Sequence, residues 1–162
     1  MKKWNERPFE IRNLFNPAFC GVVLLRAFQG FEEEDDSGMP FSLALLVLPL
    51  CLHKDTREIL SNSPRRYLLK TISDNPQMLV GFAERTRSLL PYTFEAIGFT
   101  MQLQSFEVTS QGRLRMRDRG IRKKVDGTQE SIECQRAARI VGRNLAKIGD
   151  RVTIYTTLGI RP

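Results

Sequence analysis

The chain has few of the residues and motifs from which enzyme active sites are built. Its 162 residues include a single histidine, His53, which excludes a His-rich catalytic metal site and the HExxH helix of zinc proteases. The sequence also lacks the Gly-x-x-x-x-Gly-Lys-Ser/Thr phosphate loop and the Gly-x-Ser-x-Gly nucleophile motif. Glu84, Glu95 and Glu107 are conceivable acid–base carboxylates, but no pattern fixes their separation. We therefore predict no enzymatic activity, no catalytic residues, no metal and no cofactor.

Cysteines and long apolar runs are also scarce. Cys20, Cys51 and Cys134 each lie in an apolar helical pattern, and none has a neighbour at metal-ligand spacing, so we predict buried free thiols in a reducing cytoplasm. The N-terminus is basic but has no apolar segment behind it, unlike a signal peptide. The most apolar run, residues 40–52, is shorter than the roughly 20 residues that span a bilayer. We expect a cytoplasmic protein without membrane contact, in which this run is buried inside the protein or against a partner.

Positive charge is concentrated in one segment of this basic chain. Residues 113–124 hold seven basic residues and one acid, so this segment alone accounts for six of the seven formal net positive charges. Such a cluster is typical of a surface that lies against nucleic acid or another anionic surface. The open alternative is a solvated segment that contacts nothing. The predicted nucleic-acid-binding residues are Arg113, Arg115, Arg117, Arg119, Arg122, Lys123 and Lys124.

The same region begins with the alternating pattern of a β-hairpin. Phe106 and Val108 on one strand and Leu114 and Met116 on the other fall on a common apolar face. The arginines at 113, 115 and 117 then point outward, where we expect them to contribute little to stability. Residues 110–112 supply the turn, because glycine at 112 can adopt a positive φ. An arginine-faced hairpin after a helical block predicts the wing of a winged helix-turn-helix.

Helix starts are indicated by prolines that follow a capping or loop residue. After the last of these helices and the hairpin, an amphipathic stripe predicts a long helix from about Gln129 to Ile148, which Gly149 ends. Residues 152–158 are rich in β-branched side chains and predict a strand. The predicted starts are Asn16-Pro17, Met39-Pro40, Ser63-Pro64, Asn75-Pro76 and Leu90-Pro91.

These elements predict a mostly α fold with a small β component (α+β). A winged helix-turn-helix-like module has additional N-terminal helices before it and a long C-terminal helix after it. We predict one domain, residues 1–162, with an N-terminal helical part (1–62), a winged-helix-like part (63–124) and a C-terminal helix and strand (125–162). The acidic run at residues 32–36 is interpreted as a solvated loop, which gives the molecule a negative pole opposite the basic one.

The helix in the recognition position, residues 92–104, argues against sequence-specific DNA binding. Its polar residues include glutamines but neither arginine nor lysine, whereas readers of major-groove bases usually carry basic residues there. We therefore expect this helix to pack against protein, with the positive charge confined to the hairpin.

Five segments that follow one another along nearly the whole chain resemble a known family. They read NLFNPAFC at 13–20, GMPF at 38–41, LVLPLCLHK at 46–54, AERTRSLLPYT at 83–93 and LGIRP at 158–162. Together they resemble the middle component of three-component ABC (ABC-3C) systems, which are bacterial conflict and phage-defence operons. In that family the dipeptide corresponding to Gly142-Arg143 is followed by an aromatic residue, whereas this chain has Asn144.

The resemblance implies an adaptor without catalytic residues of its own. Its partners would be an SMC/Rad50-like ABC ATPase and an effector, often a nuclease, that the complex restrains until phage infection. Large protein interfaces use aliphatic and aromatic anchors, so the apolar run and the C-terminal tail would contact these partners. For His53 the alternative is a histidine at a helix end that bonds to backbone. The predicted partner-binding residues are Pro49, His53, Tyr92, Gly159, Ile160 and Arg161.

Three functions compete at this point. The first is a non-enzymatic adaptor of an anti-phage defence complex, with contact between the hairpin and DNA held by the ATPase as one version of it. The second is a free-standing winged-helix DNA-binding transcriptional regulator, suggested by the basic hairpin. The third is a small enzyme with an unrecognised site, which no motif in the sequence supports.

Overall fold

The computed structural model describes residues 4–62, 64, 66–117, 120–122 and 124–160 and is mostly helical. Its helices are α1 (Phe9–Leu14), α2 (Pro17–Glu32), α3 (Phe41–Ala44), α4 (Val47–Cys51), α5 (Lys54–Asn62), α6 (Leu68–Asp74), α7 (Phe82–Gln102), α8 (Gln129–Ile148) and α9 (Arg151–Thr157). Its strands are β1 (Met39–Pro40), β2 (Phe106–Val108) and β3 (Arg113–Met116), and two short 3₁₀ helices cover Trp4–Glu6 and Pro76–Leu79. The predicted class, mostly α with small β, is confirmed.

Helices α2 and α8 cross so closely at the centre of the molecule that their backbones touch. A Cβ atom added to Gly30 would lie 2.1 Å from the carbonyl oxygen of Arg139. A Cβ added to Gly142 would lie 1.9 Å from the carbonyl oxygen of Ala27. Both oxygens belong to helical backbone and cannot move aside independently, so only glycine fits at these two positions. Helix α7 approaches α2 closely as well, since a Cβ on Gly21 would lie 2.5 Å from Cγ2 of Thr100.

Helix α2 begins, and helix α8 both begins and ends, where the sequence predicts. Helix α2 starts at Pro17, and the side chain of Asn16 accepts hydrogen bonds from the amides of Ala18 (2.8 Å) and Phe19 (3.4 Å). Helix α8 covers Gln129–Ile148 and ends at Gly149, which has a φ of 70°. Their facing sides, together with α4 and one side of α7, form the apolar core.

The predicted hairpin is confirmed and forms part of a three-stranded antiparallel sheet. The strand order is β1-β3-β2, with Phe106 opposite Met116 and Val108 opposite Leu114. Gly112 closes the turn with a φ of 71°. The ring of Phe106 meets Phe28 of α2 edge-on, with 5.6 Å between the ring centroids, so the apolar face of the hairpin packs on the core.

Arg26 ties the segment before α8 to α2. Its guanidinium is buried and donates to Oε1 of Gln135 at 3.2 Å, to Oε1 of Gln29 at 3.1 Å and to the carbonyl oxygen of Lys124 at 3.0 Å. These three acceptors are neutral. Burial, and after it the charge of Arg139, lower the pKa of Arg26 from its usual value.

The predicted helix start at Leu90-Pro91 is wrong. Pro91 lies inside α7, which is 21 residues long. Proline usually disfavours such a position, because it removes one hydrogen-bond donor from the helix interior. The buried side of α7 carries Thr86, Thr93 and Thr100 at seven-residue spacing. Their hydroxyls donate to the carbonyl oxygens four residues earlier at 2.8, 3.0 and 2.8 Å. Packing of this buried side against α2 and α4 keeps the helix in one piece across the proline.

The winged helix-turn-helix-like module is therefore not confirmed. In the described part of the chain between 66 and 105, the order is α6, a 3₁₀ turn and the single helix α7. Residues 92–102 belong to α7 and do not form a separate recognition helix. The hairpin is present without the three short helices that would make it a wing.

Helix α6 begins at Leu68, four residues after the predicted start at Pro64, while Ser63 lies outside the described residues. Its first amide is capped from another helix, because Oδ1 of Asn144 accepts from the amide of Leu68 at 3.0 Å. The amide group of Asn144 also donates to the carbonyl oxygen of Ile140 at 3.0 Å. Asn144 thus joins α8 to α6.

The helix predicted to open at Met39-Pro40 begins one residue later, at Phe41, with Pro40 as the N-cap of α3. Met39 pairs with Leu114 and forms the short strand β1, and the following apolar run is divided into α3 and α4 around Leu45 and Leu46. The pairing with β3 fixes an extended backbone at the position where the sequence alone suggests a first helical turn.

The predicted strand at residues 152–158 is instead the helix α9. Asp150 caps it, accepting from the amides of Val152 at 3.3 Å and Thr153 at 2.8 Å. Ile154 and Leu158 are buried and lie four residues apart, so they share one face of the helix. Capping and packing therefore override the β-propensity of the segment.

The three cysteines are buried and free, as predicted. The span Phe9–Glu32 is apolar and long enough to cross a membrane by length and composition, and 56% of its most apolar window is buried inside the protein. The core helix of a soluble protein passes the same test.

We expect Gly142→Ala to lower the free energy of unfolding by about 3 kcal/mol, because the added methyl group collides with helical backbone. Gly98→Ala is the matched control, since Gly98 lies in the middle of α7 and no atom is within 4 Å of its added Cβ. That change should raise the free energy of unfolding by about 0.5–1 kcal/mol. Chemical denaturation measures both values. Equal stability of Gly142→Ala and the unmodified chain would contradict the close crossing.

Candidate interaction site

Arg113, predicted to point outward and to bind nucleic acid, is held inside a network of hydrogen bonds. Its NH1 group donates to Oδ2 of Asp35 at 3.1 Å, to Oγ of Ser37 at 2.6 Å and to the carbonyl oxygen of Gly38 at 3.1 Å. Hydrogen bonds from Ser37, and then those from Arg113, lower the pKa of Asp35. Arg113 therefore fastens the hairpin to the segment between α2 and β1, and its predicted outward position is wrong.

The next two arginines of the hairpin share one carboxylate. Arg115 lies directly opposite Glu107 in the sheet, and its Nε donates to Oε1 of Glu107 at 2.9 Å. The Nε atom of Arg117 is 3.9 Å from Oε2 of the same glutamate. The hydrogen bond from Arg115 lowers the pKa of Glu107. Both arginines are exposed but partly neutralised.

The remaining basic residues of the segment follow the hairpin. Arg122 and Lys124 are exposed, and Nζ of Lys124 is 3.6 Å from Oδ2 of Asp126. Arg119 and Lys123 lie outside the described residues. In the described part of the segment, four of the five basic residues have an acidic neighbour, so its net charge overstates the charge that it presents.

The acidic run at residues 32–36 does not form a separate negative pole, contrary to the prediction. Glu33 contacts Arg139 and pairs with Arg143 of α8, and Oε1 of Glu34 is 3.3 Å from Nζ of Lys147. Oε1 of Glu32 accepts from the amide of Met116 at 2.6 Å, and burial raises its pKa. The end of α2 thus pairs its acids with α8 on one side and with the hairpin on the other.

Two of the predicted partner-binding residues have structural roles inside the chain. Pro49 is buried in α4, and its carbonyl oxygen accepts from Nε of Arg85 at 3.2 Å. His53 caps α5, because its Nδ1 accepts from the amide of Thr56 at 3.4 Å and lies 3.0 Å from the hydroxyl oxygen. Burial, and then the charge of Arg85, lower the pKa of His53, which favours the neutral acceptor form.

The other predicted partner-binding residues are half-buried or lie at the chain end. The ring of Tyr92 stacks on Phe15 with 4.5 Å between centroids. Gly159 has a φ of 68°, and the amide of Ile160 donates to the carbonyl oxygen of Tyr155 at 3.0 Å, as in a Schellman motif that ends a helix. Arg161 lies outside the described residues.

A surface that the sequence patterns do not single out lies on α7. The side chains of Phe94 and Met101 are 50% and 46% exposed, and Phe41, 41% exposed, stacks on Phe94 with 6.2 Å between centroids. Gly98 lies between Phe94 and Met101 on the same side of the helix, because residues three, four and seven apart share a face. We call these four residues the α7 apolar face. The helical period reveals the apolar positions, but only the packing of α7 shows that these ones face solvent.

Exposed apolar surface of this kind marks interaction sites in soluble proteins. Three further apolar side chains are exposed at the end of α7 and on the hairpin: Phe99, Leu103 and Val108. Among the described residues there is no group of three or more His, Cys, Asp or Glu side chains that could hold a metal ion. The arrangement is suited to binding another macromolecule.

Comparison with protein families gives one match. The family model described as "ABC-three component (ABC-3C) system Middle Component 3" matches residues 4–162. Neither a curated protein nor a solved structure was found to match the chain.

Arg113→Ala should lower the free energy of unfolding by about 1–2 kcal/mol at pH 7, because it removes three hydrogen bonds between the hairpin and the segment after α2. Arg115→Ala, on the exposed side, should leave it unchanged within error. The folded-state pKa of Asp35 is below its ordinary 3.8, so its contribution is present above that pH and is lost as pH falls through the folded value. The difference in the free energy of unfolding between Arg113→Ala and the unmodified chain should therefore become smaller as denaturation is repeated at lower pH. A difference that stays constant would contradict the role of Asp35.

Proposed function

The chain belongs to the ABC-3C system Middle Component 3 family, and on this basis we propose that it is a non-enzymatic adaptor subunit of an anti-phage defence complex. Membership in a system of several components implies protein partners. We propose that it links an SMC/Rad50-like ABC ATPase to an effector such as a nuclease. Its action is then to hold the two together in the cytoplasm.

The observation that carries this proposal is the α7 apolar face. Aromatic side chains such as Phe41 and Phe94 are the usual anchors of protein interfaces, and here they are stacked and exposed before any partner binds. Gly98 costs a helix interior about 1 kcal/mol relative to alanine, and no contact among the described residues requires it. A glycine at this position allows the backbone of a partner helix to approach α7 closely. These features support docking of a partner subunit on this face.

The chemistry of the thiols supports the non-enzymatic part of the proposal. Burial raises the pKa of Cys20 to about 12 and also raises the pKa of Cys51 and of Cys134. Thiols with raised pKa values stay protonated near neutral pH and are poor nucleophiles. Their burial as free thiols also fits the reducing cytoplasm.

The alternative, a free-standing DNA-binding regulator, is less well supported. Arg113 is occupied within the chain, and Arg115 and Arg117 lie beside Glu107. Phosphate binding would have to break or compete with these pairs. A supporting contact between the hairpin and DNA that the ATPase already holds fits these ion pairs better than DNA binding by the chain alone.

The adaptor proposal is tested by co-expressing the chain with the ABC ATPase and the effector of its own system and separating the complexes by size exclusion. Phe94→Asp should abolish co-elution, because it places a charge in the centre of the apolar anchor. Val152→Asp is the matched control, since Val152 is 63% exposed on α9 and is not part of the α7 apolar face. Co-elution should survive that change. A chain that remains monomeric beside both candidate partners would overturn the proposal, and equal effects of the two variants would remove α7 from it.

Gly98→Ala separates folding from assembly. The variant should be more stable than the unmodified chain, because alanine is the better helix former. It should bind the partner subunit about tenfold more weakly, because a methyl group forced into a close helix contact costs on the order of 1–3 kcal/mol. Denaturation and titration of the purified partner measure the two effects. Unchanged affinity would show that no backbone approaches Gly98.

A further inference from the structure

A cleft about 710 Å³ in volume lies between α5 and α8. It shares no residue with the α7 apolar face. The lining residues that matter for its chemistry are Arg57, Ser61, Glu133, Arg136, Arg139 and Arg143.

The wall of the cleft contains two buried polar atoms that lack hydrogen-bond partners. Arg57 is only 2% exposed, and its terminal nitrogens donate to the carbonyl oxygens of Cys51 and Leu52, each at 3.3 Å, and to Oε1 of Glu130 at 3.1 Å. Its Nε makes no hydrogen bond among the described residues but lies 3.9 Å from Oε2 of Glu133. The buried Oγ of Ser61 has no hydrogen-bond partner there either, and because buried polar groups are rarely left unpaired in folded proteins, this hydroxyl is available to a ligand.

Glu33 holds two arginines of the cleft in place. It accepts from Nε of Arg139 and, at 2.6 Å, from a terminal nitrogen of Arg143. The terminal nitrogens of Arg139 have no hydrogen-bond partner within the described residues, and Arg136 has no ion pair there. Arginines whose orientation is already fixed lose less side-chain entropy when a ligand binds.

We propose that this cleft binds a carboxylate side chain of an acidic peptide segment from another protein. The planar guanidinium group pairs with carboxylates through two parallel hydrogen bonds. In this arrangement the carboxylate pairs with Arg136 and with the terminal nitrogens of Arg139. Ser61 also lines the cleft and offers a further donor, whereas the charge of Arg57 is shared with Glu130 and Glu133.

Two observations favour a peptide over nucleic acid. Glu58 and Glu133 also line the cleft, and their charges would repel the regularly spaced phosphates of a nucleic acid strand. None of the described lining residues is aromatic, whereas single-stranded nucleic acid is usually bound through stacking on aromatic rings. A peptide can place one acid against the arginines and neutral residues against the glutamates.

The proposal is tested with the full chain and a dye-labelled peptide in which one glutamate is flanked by serines, by fluorescence anisotropy at low salt. We expect saturable binding with a Kd below about 1 mM, and no binding of a matched peptide in which glutamine replaces the glutamate. Arg136→Glu should weaken binding at least tenfold, because it replaces the attraction by repulsion. Arg151→Glu makes the same change of charge on the exposed surface of α9, and it should weaken binding less than about twofold.

Four results would overturn the proposal. Equal weakening by the two variants would mean diffuse electrostatic attraction, and absence of saturation would mean no site. Tighter binding of a dye-labelled oligothymidine that Arg136→Glu also abolishes would make the cleft a nucleic-acid groove. Arg136→Gln, which keeps a polar side chain and should fold as the unmodified chain does, serves as a second variant. It too should weaken binding, and full retention of affinity would exclude Arg136 from the site.

Discussion

The close crossing of α2 and α8 sets the geometry of the whole molecule. Because Gly30 and Gly142 carry no side chains, the two backbones meet at van der Waals distance. The acidic end of α2 is thereby brought within reach of the basic face of α8, and Glu33 can contact Arg139 and Arg143 together. A larger residue at either glycine would separate the helices and pull these pairs apart. The charge pattern on the surface is thus a consequence of backbone packing in the core.

The sequence predicts those elements whose signals are local. Asn16 caps α2, Gly149 ends α8 and Gly112 closes the hairpin, because each acts on backbone within a few residues of itself. Pro91 and residues 152–158 mislead because their local preference is opposed by distant packing. The buried threonine side of α7 holds a helix across the proline, and burial of α9 holds a helix where β-branched residues favour a strand.

The candidate interaction site could be predicted only in part. Counting charges identifies the basic segment correctly, but it cannot show that Arg113 is already bonded to Asp35. The helical period marks Phe94 as apolar, yet its exposure depends on which side of α7 meets the core. Nothing near Asn144 in the sequence indicates what its side chain contacts. Its partner, the amide of Leu68, is 76 residues away and appears only in the fold.

Arg26 gives the hairpin and α8 a common mechanical anchor. Its guanidinium holds the carbonyl of Lys124 and the side chain of Gln135 to α2. Arg113 holds the hairpin to the segment that follows the C-terminal end of α2. A force applied to the hairpin is therefore carried into α2 at two points. Tension from a neighbouring subunit on the hairpin would therefore be transmitted directly to the central helix pair.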